Sequence, residues 1–376
     1  MRLLAAIFSI GFCAAVANGH SVGPTSEQLT WTIGPFTRPA VGNPVMSPDL
    51  QSVFNDPIRH VPVHWEALHT FNPAAIVRDG KVYVLYRAED DTGEMQIGMH
   101  TSRLGLAVSQ DGIYFQRRPE PVFYPSEDEQ RQREWPGGVE DPRLVESPDG
   151  GYVLTYTQWN RVTYSVGIAT SPDLLHWTKH GPAFGSGPNG KYSGLKYKSA
   201  GIVTEVKGGR LVAARIRGKF WMYWGEGAIR LATSADLIHW TPVEDSNGQP
   251  LEPLEPRPGH FDSTFPETGP PPVLTPKGVV VLYNGKNAAS RGDPRLGAGA
   301  YATGEALFAA RDPSKLLAQT SDPVLKPTLP YEKTGQYASG TTFAEGLVLF
   351  HGRWFLYYGC ADSLVSVATA PVSDLR

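Results

Sequence analysis

The sequence predicts an all-β fold, namely a five-bladed β-propeller. Gly 40 and Pro 33 are high numbers for 376 residues and indicate many short strands joined by turns. Apolar and polar residues alternate in short runs rich in β-branched and aromatic side chains, whereas helical periodicity is nearly absent. A strand pattern also recurs five times along the chain, and repetition of this kind is typical of propellers.

The recurring pattern is a short apolar run that ends in Tyr or Arg and then turns polar. Its copies are KVYVLYRAED (81–90), GYVLTYTQWN (151–160), RLVAARIRGK (210–219), VVVLYNGKN (279–287) and RWFLYYGCAD (353–362). The reference positions within them are Tyr86, Tyr156, Arg215, Tyr283 and Tyr357. These positions lie 70, 59, 68 and 74 residues apart, which predicts one blade per copy with long connecting loops.

A second motif follows most of these copies and reads as a strand, a Ser/Asp turn and a short return strand. Its copies are LGLAVSQDGIYFQRRPEPVF, VGIATSPDLLHWTKHGPAF, IRLATSADLIHWTPVE and ALFAARDPSKLLAQTSDPVL. Because His176 and His239 recur inside it, we expect them to be turn or packing residues and not ligands. The C-terminal SVATAPVSDLR resembles the motif again and is expected to close the ring against the first blade.

The N-terminus, MRLLAAIFSIGFCAAVANGHS, has the pattern of a secretory signal peptide. One Arg precedes a short apolar run, and Ala15-Val16-Ala17 fits a cleavage site, so residues 1–17 are predicted to be removed. The alternative is an uncleaved N-terminal segment. Residues 18–376 are predicted to form one propeller domain, exported to the periplasm or secreted, with no membrane segment after signal removal. Cys360 would then be the one remaining cysteine, so no internal disulfide is expected.

Several classes of function are disfavoured by composition and motifs. The net charge of -3 gives no basic signature, so no nucleic-acid partner is expected. The sequence has no P-loop, no strand followed by GxGxxG and a helix, and no G-x-S-x-G element. It also has no H-E-x-x-H motif or Cys/His cluster, so neither a cofactor nor a metal is expected.

Polar residues follow the apolar runs at the same phase of each repeat. In a propeller the inner strands converge on a central channel, so these residues can meet although they lie far apart in sequence. The residues expected there are Asn72, Arg87, Glu89, Asp90, Asp141, Arg143, Trp159, Asn160, Lys198, Arg215, Arg217, Asn284, Lys286 and Asp362. Carboxylates, cations and aromatic rings together suit a sugar site, although any single residue is explained equally well by contact with solvent.

A set of motifs in this order resembles glycoside hydrolase family 130. They are FNPA, YRAED, GGVEDPR, IATSPDLLHW, KSAGIV, ETGPPPVLT, LYNGKN and LYYGCADS, and they run from Phe71 to Ser363. The family consists of five-bladed propellers that act on β-mannosides and includes mannoside phosphorylases and β-1,2-mannosidases. The resemblance is closer to the β-1,2-mannosidase members.

The resemblance implies roles for particular residues. Asp141, in EDPR, corresponds to the general acid, which acts directly or through a hydroxyl of the bound sugar. Asn72, Arg87 and Asp362 correspond to positions that hold the mannosyl residue, and Lys198 lies in a segment that lines the site. We expect Glu140 not to be a second catalyst but to fix local structure, because neighbours on an extended segment point to opposite sides.

The choice between water and phosphate depends on four further residues. The family's phosphorylases carry an Arg after the third-blade strand and a His after the fourth, where this chain has Arg215 and Asn284, both predicted to bind substrate. Glu226 and Glu267 are predicted to face the phosphate position, where each would cost a phosphate roughly 4 kcal/mol at about 4 Å. The same carboxylates suit a general base, and the sequence does not choose between them. The competing interpretation is that they pair with nearby arginines: Arg215, Arg217 or Arg230.

The sequence therefore predicts an exo-acting hydrolase that releases mannose from β-linked manno-oligosaccharides, most simply β-1,2-linked, with inversion. Inversion requires a second carboxylate about 6.5–9.5 Å from the acid. One alternative is a phosphorylase that releases α-mannose 1-phosphate. The other is a propeller that binds carbohydrate without turnover.

Overall fold

A computed structural model describes residues 30–185 and 190–372. Within them the chain is nearly all β, with 25 strands, one short α-helix at Arg131–Glu134 (α1) and a 3-10 turn at Pro330–Glu332. No helix in these two stretches is long and apolar enough to cross a membrane. The predicted signal peptide, residues 1–17, lies outside the described residues.

The first half of the described chain forms a small hairpin and two antiparallel groups of strands. The hairpin consists of β1 (Phe54–Asp56) and β2 (Val61–Val63). The first group consists of β3 (His69–Arg78), β4 (Lys81–Glu89), β5 (Ser102–Ser109) and β6 (Gln116–Arg117). The second consists of β7 (Gly138–Glu146), β8 (Tyr152–Trp159), β9 (Tyr164–Ser171) and β10 (Thr178–Pro182). In both groups, consecutive strands pair in sequence order.

The third group departs from this order because it carries an extra hairpin. Its strands are β11 (Ala200–Ile202), β12 (Thr204–Lys207), β13 (Arg210–Ala213), β14 (Arg215–Ile216), β15 (Lys219–Trp224), β16 (Arg230–Ser234) and β17 (Trp240–Pro242). β12 pairs with β13, but the chain then turns back on itself through β14 and β15. β15 is the strand that pairs with both β11 and β16.

The last two groups return to the simple antiparallel order. The fourth consists of β18 (Phe265–Thr268), β19 (Val273–Thr275), β20 (Gly278–Lys286), β21 (Tyr301–Ala309) and β22 (Asp312–Gln319). The fifth consists of β23 (Thr342–Phe350), β24 (Arg353–Cys360) and β25 (Leu364–Pro371). The free edge of β25 bonds to the N-terminal segment, through bridges from Thr37 to Thr369 and from Met46 to Val365.

A buried tyrosine marks the same place in all five groups. These residues are Tyr86, Tyr156, Tyr223, Tyr283 and Tyr357. Their hydroxyls donate to Glu66, Glu134, the Pro313 carbonyl, Asp262 and the Gly112 carbonyl, respectively. A ring with a satisfied hydroxyl fills the space between strands at low cost, which accounts for the recurrence.

Glycine faces three of these rings across the strand pair. Tyr86 lies opposite Gly105, Tyr156 opposite Gly167 and Tyr283 opposite Gly304. A Cβ at these glycines would lie 2.4, 2.5 and 2.9 Å, respectively, from the Cζ atom of the ring, so no larger residue fits without a shift.

The predicted repeat is therefore present, with one correction at its third copy. Tyr223, on β15, occupies the place that the sequence pattern assigned to Arg215. The apolar run RLVAA begins on β13, which pairs with β12, whereas β15 is the strand that continues the repeat, so the phase shifts. Arg215 lies on β14, in the hairpin that β14 forms with β15.

The Ser/Asp turns also follow the predicted pattern, because their residues bond within the turn. Asp173 Oδ1 accepts from the backbone N–H groups of Leu175 and His176, and its Oδ2 lies 2.7 Å from His176 Nδ1. Asp236 and His239 repeat this arrangement, also at 2.7 Å. Both histidines are exposed turn residues, as predicted.

Bulges interrupt the inner strands where they approach one another. β3 is bulged between Phe71 and Pro73, and β7 between Glu140 and Arg143. The residues inside these bulges, Asn72 and Asp141, have left-handed backbone angles, with φ of 45° and 48°. A bulge breaks the alternation of side chains along a strand and re-aims one of them. β23 carries a third bulge at the same level, between Ala344 and Gly346.

The N-terminal segment is held by a buried carboxyl whose titration is testable. Glu305 accepts hydrogen bonds from the backbone N–H groups of Ile33 and Gly34, at 2.8 and 2.7 Å. Burial raises the pKa of Glu305 to about 7. A raised folded-state pKa stabilises the fold below the unfolded value, near 4.5, and this contribution is lost as the pH rises through about 7.

We therefore expect the free energy of unfolding to fall between about pH 5 and pH 8, by on the order of 3 kcal/mol from this group. Glu305→Gln removes the titration, so its unfolding free energy should fall less over that range. Urea denaturation at both pH values measures the difference. A variant whose stability falls as steeply as that of the wild type would contradict the assignment.

Candidate active site

The bulged inner strands surround a cavity of about 300 Å³. Its walls carry five carboxyl groups, two cations and several aromatic rings. The lining residues are Asn72, Arg87, Ile97, Gly98, Glu140, Asp141, Thr157, Trp159, Tyr164, Lys198, Glu226, Glu267, Tyr301, Tyr337, Phe343 and Asp362. Tyr164 and Glu226 also line a neighbouring cleft of about 700 Å³, so the cavity adjoins this wider space on the side of Glu226.

One end of the cavity is organised by the guanidinium of Arg87. Its Nη1 donates to Asp141 Oδ1 at 3.0 Å, and its Nη2 donates to Glu140 Oε1 at 2.8 Å and to Glu89 Oε1 at 2.7 Å. The guanidinium also lies over the ring of Phe71, with its Cζ 4.5 Å from the ring centroid. A single cation thus holds three carboxyl groups in a buried setting.

Asp141 is stabilised in its ionised form. Its Oδ1 accepts a second hydrogen bond from Asn72 Nδ2, at 2.8 Å. Burial alone would raise the pKa of Asp141, but the charges of Arg87, Lys198 and Arg143 outweigh it. The pKa of Asp141 falls to about 2 as a result.

Two other carboxyl groups of the cavity behave in the opposite way. Burial raises the pKa of Glu140 to about 7, with Arg87 as the main opposing charge. Burial also raises the pKa of Asp362 to about 7. The expectation that Glu140 points away from Asp141 is wrong, because the bulge at Asp141 turns both side chains into the cavity.

The other end of the cavity is organised by Lys198. Its Nζ lies 3.2 Å from Glu267 Oε1 and 3.4 Å from Glu226 Oε2. Ser199 Oγ donates to Glu267 Oε1 at 2.6 Å, and the Tyr164 hydroxyl donates to Glu226 Oε1 at 3.3 Å. Burial raises the pKa of Glu267, whose side chain is fully buried. The side chain of Glu226, by contrast, is 30% exposed.

The competing interpretation, in which these glutamates pair with arginines, is therefore corrected. The cation beside both carboxylates is Lys198. Arg230 reaches only the backbone carbonyl of Glu226, at 3.4 Å, and forms its ion pair with Glu252.

A buried arginine beneath the cavity joins its two ends. Arg143 donates to the backbone carbonyl of Asp141 at 2.9 Å. It also donates to the carbonyls of Thr268 and Gly269, at 2.7 and 3.2 Å, directly after Glu267. Its Nη1 lies 3.0 Å from Glu345, although without hydrogen-bond alignment. The sequence pattern missed Glu345 because it lies inside a strand and not at a strand end.

Two residues predicted to bind substrate do not line the cavity. Arg215 is exposed, donates to the carbonyls of Gly218 and Ala235, each at 3.0 Å, and stacks on Phe220. The inserted hairpin carries it away from the inner strands.

Asn284 is fully buried and bonds to the backbone of Ala344. Its Nδ2 donates to the carbonyl at 3.0 Å, and its Oδ1 accepts from the N–H at 2.8 Å. Its amide thus links β20 to β23, so Asn284 has a structural role and does not line the cavity.

The other residues predicted to act in catalysis or substrate binding are brought together in the cavity. They are Asn72, Arg87, Asp141, Lys198, Glu226, Glu267 and Asp362. Six further residues expected in the central channel do not line the cavity, namely Glu89, Asp90, Arg143, Asn160, Arg217 and Lys286. Aromatic residues of the wall were missed, apart from Trp159, because they do not follow the apolar runs: Tyr164, Tyr301 and Phe343 lie at the start of strands and Tyr337 lies in a loop. Thr157 was also missed, although it follows Tyr156 as Arg87 follows Tyr86, and this shared phase was the available signal. Across residues 30–185 and 190–372, no cluster of three or more His, Cys, Asp or Glu is placed to hold a metal ion.

Carboxyl groups at the two ends of a cavity lined with aromatic rings are typical of carbohydrate-active enzymes. The chain belongs to glycoside hydrolase family 130, whose family model, described as beta-1,4-mannooligosaccharide phosphorylase, matches residues 44–375. The resemblance seen in the sequence is thereby confirmed.

Similar proteins include both phosphorylases and glycosidases. The chain is 31% identical to a 1,2-beta-oligomannan phosphorylase from Thermoanaerobacter sp. (strain X514), over 83% of this chain and 93% of that protein. A solved structure described as a putative glycosidase from Bacteroides thetaiotaomicron VPI-5482 is 50% identical, with a TM-score of 0.90 over 92% of this chain and 99% of that one.

A further solved structure is 51% identical, with a TM-score of 0.89 over 91% of this chain and 96% of that chain. It is described by the words "The GH130 family of mannoside phosphorylases contains glycoside hydrolases that target beta-1,2 mannosidic linkages in Candida mannan". Family membership by itself therefore leaves both reactions open.

The placement of the two arginines predicts different effects on activity. Arg215→Ala should leave kcat/KM on a β-mannoside within about twofold of the wild type, because it removes exposed contacts to backbone carbonyls. Arg87→Ala should lower kcat/KM by at least about 100-fold, because it leaves buried carboxylates without their cation. Steady-state kinetics measures both variants. A loss of kcat/KM above about tenfold in Arg215→Ala would contradict this placement and show that Arg215 acts in the site.

Proposed function

We propose that this protein is an exo-acting β-mannosidase that hydrolyses β-1,2-linked mannosides with inversion. The observation that carries the proposal is the charge balance of the cavity. Among the residues that line it, both cations are already engaged by carboxylates, Arg87 at one end and Lys198 at the other. A phosphate dianion would meet Glu226 and Glu267 without a free positive partner.

The size of the cavity supports action at a chain end. About 300 Å³ is at the lower limit of small-molecule sites and suits one terminal sugar. Rings such as Trp159, Tyr301 and Phe343 supply faces on which a sugar can pack. The β-1,2 linkage rests on the similarity to proteins described as acting on such linkages.

The proposed reaction uses the two ends of the cavity for different tasks. The terminal mannose is held by Asn72, Arg87 and Asp362. The end that contains Asp141 delivers a proton to the departing glycosidic oxygen, directly or through a sugar hydroxyl, and the carbon–oxygen bond breaks. At the opposite face, a water oxygen bonds to the anomeric carbon and its proton passes to a carboxylate.

We assign the base to Glu267. Ser199 and Lys198 both hold its Oε1, whereas its Oε2 has no hydrogen-bond partner among the described residues. A base needs one anchored oxygen and one free acceptor, and a raised pKa brings it closer to the range in which a base works best. Glu226 lies toward the neighbouring cleft, where water can reach the cavity.

The phosphorylase reaction remains the second candidate because the family model and the relative from Thermoanaerobacter are described as phosphorylases. Arg215 and Asn284 were the residues that would have served it. Neither lines the cavity, which favours water as the acceptor. Binding without turnover would leave the two carboxylate ends unexplained.

We also propose the architecture and location that accompany this function. The five strand groups are the blades of one propeller, with the N-terminal segment added to β25 as closure. Residues 1–17 export the chain, which places it in the periplasm or outside the cell. Mass spectrometry of the mature protein tests the cleavage after Ala17.

The choice of acceptor gives a direct prediction. With β-1,2-mannobiose, free mannose should form at the same rate without phosphate and with saturating phosphate, and α-mannose 1-phosphate should be absent. Anion-exchange chromatography of the products measures both. A rate that rises with phosphate, together with formation of the sugar phosphate, would establish the second candidate instead.

The assignment of the base gives another prediction. Glu267→Ala should lower hydrolysis of β-mannosyl fluoride by about 100-fold or more, and azide should restore activity by forming α-mannosyl azide in the space left by the carboxylate. Glu226→Ala is the matched control and should show no azide product. If azide rescues Glu226→Ala and not Glu267→Ala, the two roles are exchanged.

A further inference from the structure

The end of the cavity around Arg87 has more carboxyl groups than cations. Glu89, Glu140 and Asp141 all accept hydrogen bonds from this one guanidinium. The carboxyl of Asp362 lines the same end without a bond from Arg87. Carboxylates that share a buried site repel one another, which disfavours ionisation of the whole set near neutral pH. At least one proton therefore resides in this cluster.

The hydrogen bonds indicate where in the cluster that proton does not reside. Asp141 Oδ1 accepts from both Arg87 and Asn72, so Asp141 is held as a carboxylate. Glu89 accepts from Arg87 and, at 3.1 Å, from Gln336 Nε2. Asp141 is thus stabilised as an anion, which leaves a question about the acid step: a carboxylate that stays ionised needs a source for the proton it delivers.

Glu140 is the group that can supply it. Its Oε1 shares one nitrogen of Arg87 with Glu89, and its other partner is the Ser102 hydroxyl at 3.3 Å. This second contact is longer than the 2.8 Å hydrogen bond that Asn72 donates to Asp141, so Glu140 is stabilised less as an anion than Asp141 is. Its side chain is 12% exposed and lines the cavity, so it can reach a bound sugar.

We propose that Glu140 is a second catalytic carboxyl, which shares one proton with Asp141 across the Arg87 guanidinium and supplies it to the leaving group. This inference rests on the proposed glycoside-cleaving function. Before reaction the pair carries one proton and one negative charge. As the carbon–oxygen bond breaks, the proton moves to the departing oxygen and the pair becomes doubly ionised.

The resting state is restored by exchange with solvent. The proton that the attacking water loses is taken by Glu267 and released to solvent, and the Glu140–Asp141 pair takes one proton back. The charges that face Glu140 are Arg87, Asp141, Glu89 and, more distantly, Lys198. Activity should therefore decline as the pH rises through about 7, where the pair loses its proton.

The test compares two substrates that differ in their need for an acid. The mannose released from β-1,2-mannobiose leaves as an alkoxide unless it is protonated, whereas fluoride leaves without a proton. Glu140→Gln keeps the shape of the side chain and removes the proton. We expect kcat on β-1,2-mannobiose to fall by about 100-fold or more, and kcat on β-mannosyl fluoride to change by less than about threefold. The alkaline decline of the wild-type profile should be absent on the fluoride.

Matched variants separate this role from a structural one. Glu305→Gln makes the same change at a buried carboxyl outside the cavity and should leave both substrates unaffected. Glu140→Asp retains a carboxyl group and should recover part of the rate on β-1,2-mannobiose, which also covers the case in which Glu140→Gln does not fold. Asp362→Asn tests the other carboxyl group at this end of the cavity whose pKa is raised.

Three results would overturn the proposal. One is an equal loss of activity on both substrates in Glu140→Gln, or in Glu140→Asp if the first variant is unfolded. Another is no loss on either substrate. The third is a substrate-dependent loss in Asp362→Asn in place of Glu140→Gln. If the wild type acts only with phosphate, hydrolysis is refuted, but the same comparison with phosphate present still decides the role of Glu140, because phosphorolysis also needs a protonated leaving group.

Discussion

The buried guanidinium of Arg143 fixes the geometry on which the cavity depends. It bonds to the carbonyl of Asp141 on one side and to those of Thr268 and Gly269 on the other. The ends that contain Asp141 and Glu267 come from strand groups distant in sequence, and this one planar group spans both. Hydrogen bonds from a charged, fully buried donor are strong and directional, so the separation of the two ends is set by the fold and not by the substrate.

Charge is the second constraint. Among the residues that line the cavity, Arg87 and Lys198 are the two cations, and five carboxyl groups line it with them. Arg143 adds its positive charge from beneath the cavity, where it bonds to backbone carbonyls. The surplus negative charge keeps protons in a buried site and disfavours an anionic acceptor. The proposed use of water as the nucleophile and the proposed proton of the Glu140–Asp141 pair both rest on this imbalance.

Much of this arrangement could be predicted from the sequence. The spacing of apolar runs predicted the strand groups, because each group carries a buried tyrosine at the corresponding position. The phase error at Arg215 arose since a hairpin inserted into one repeat is invisible to a pattern that counts residues. Glu140 was misplaced for a different reason: alternation along a strand holds until a bulge breaks it, and a left-handed aspartate gives no local signal. Asn284 shows that a polar strand end can serve a neighbouring strand instead of a ligand.

Acid and base are proposed to act from opposite ends of one cavity, which requires inversion at the anomeric carbon. Proton NMR during the first minutes of β-1,2-mannobiose cleavage, in buffer without phosphate, measures this stereochemistry. We expect α-mannose to appear first from the non-reducing residue and only later to equilibrate with the β-anomer. Initial release of β-mannose would show retention, and it would contradict the roles assigned to the two ends.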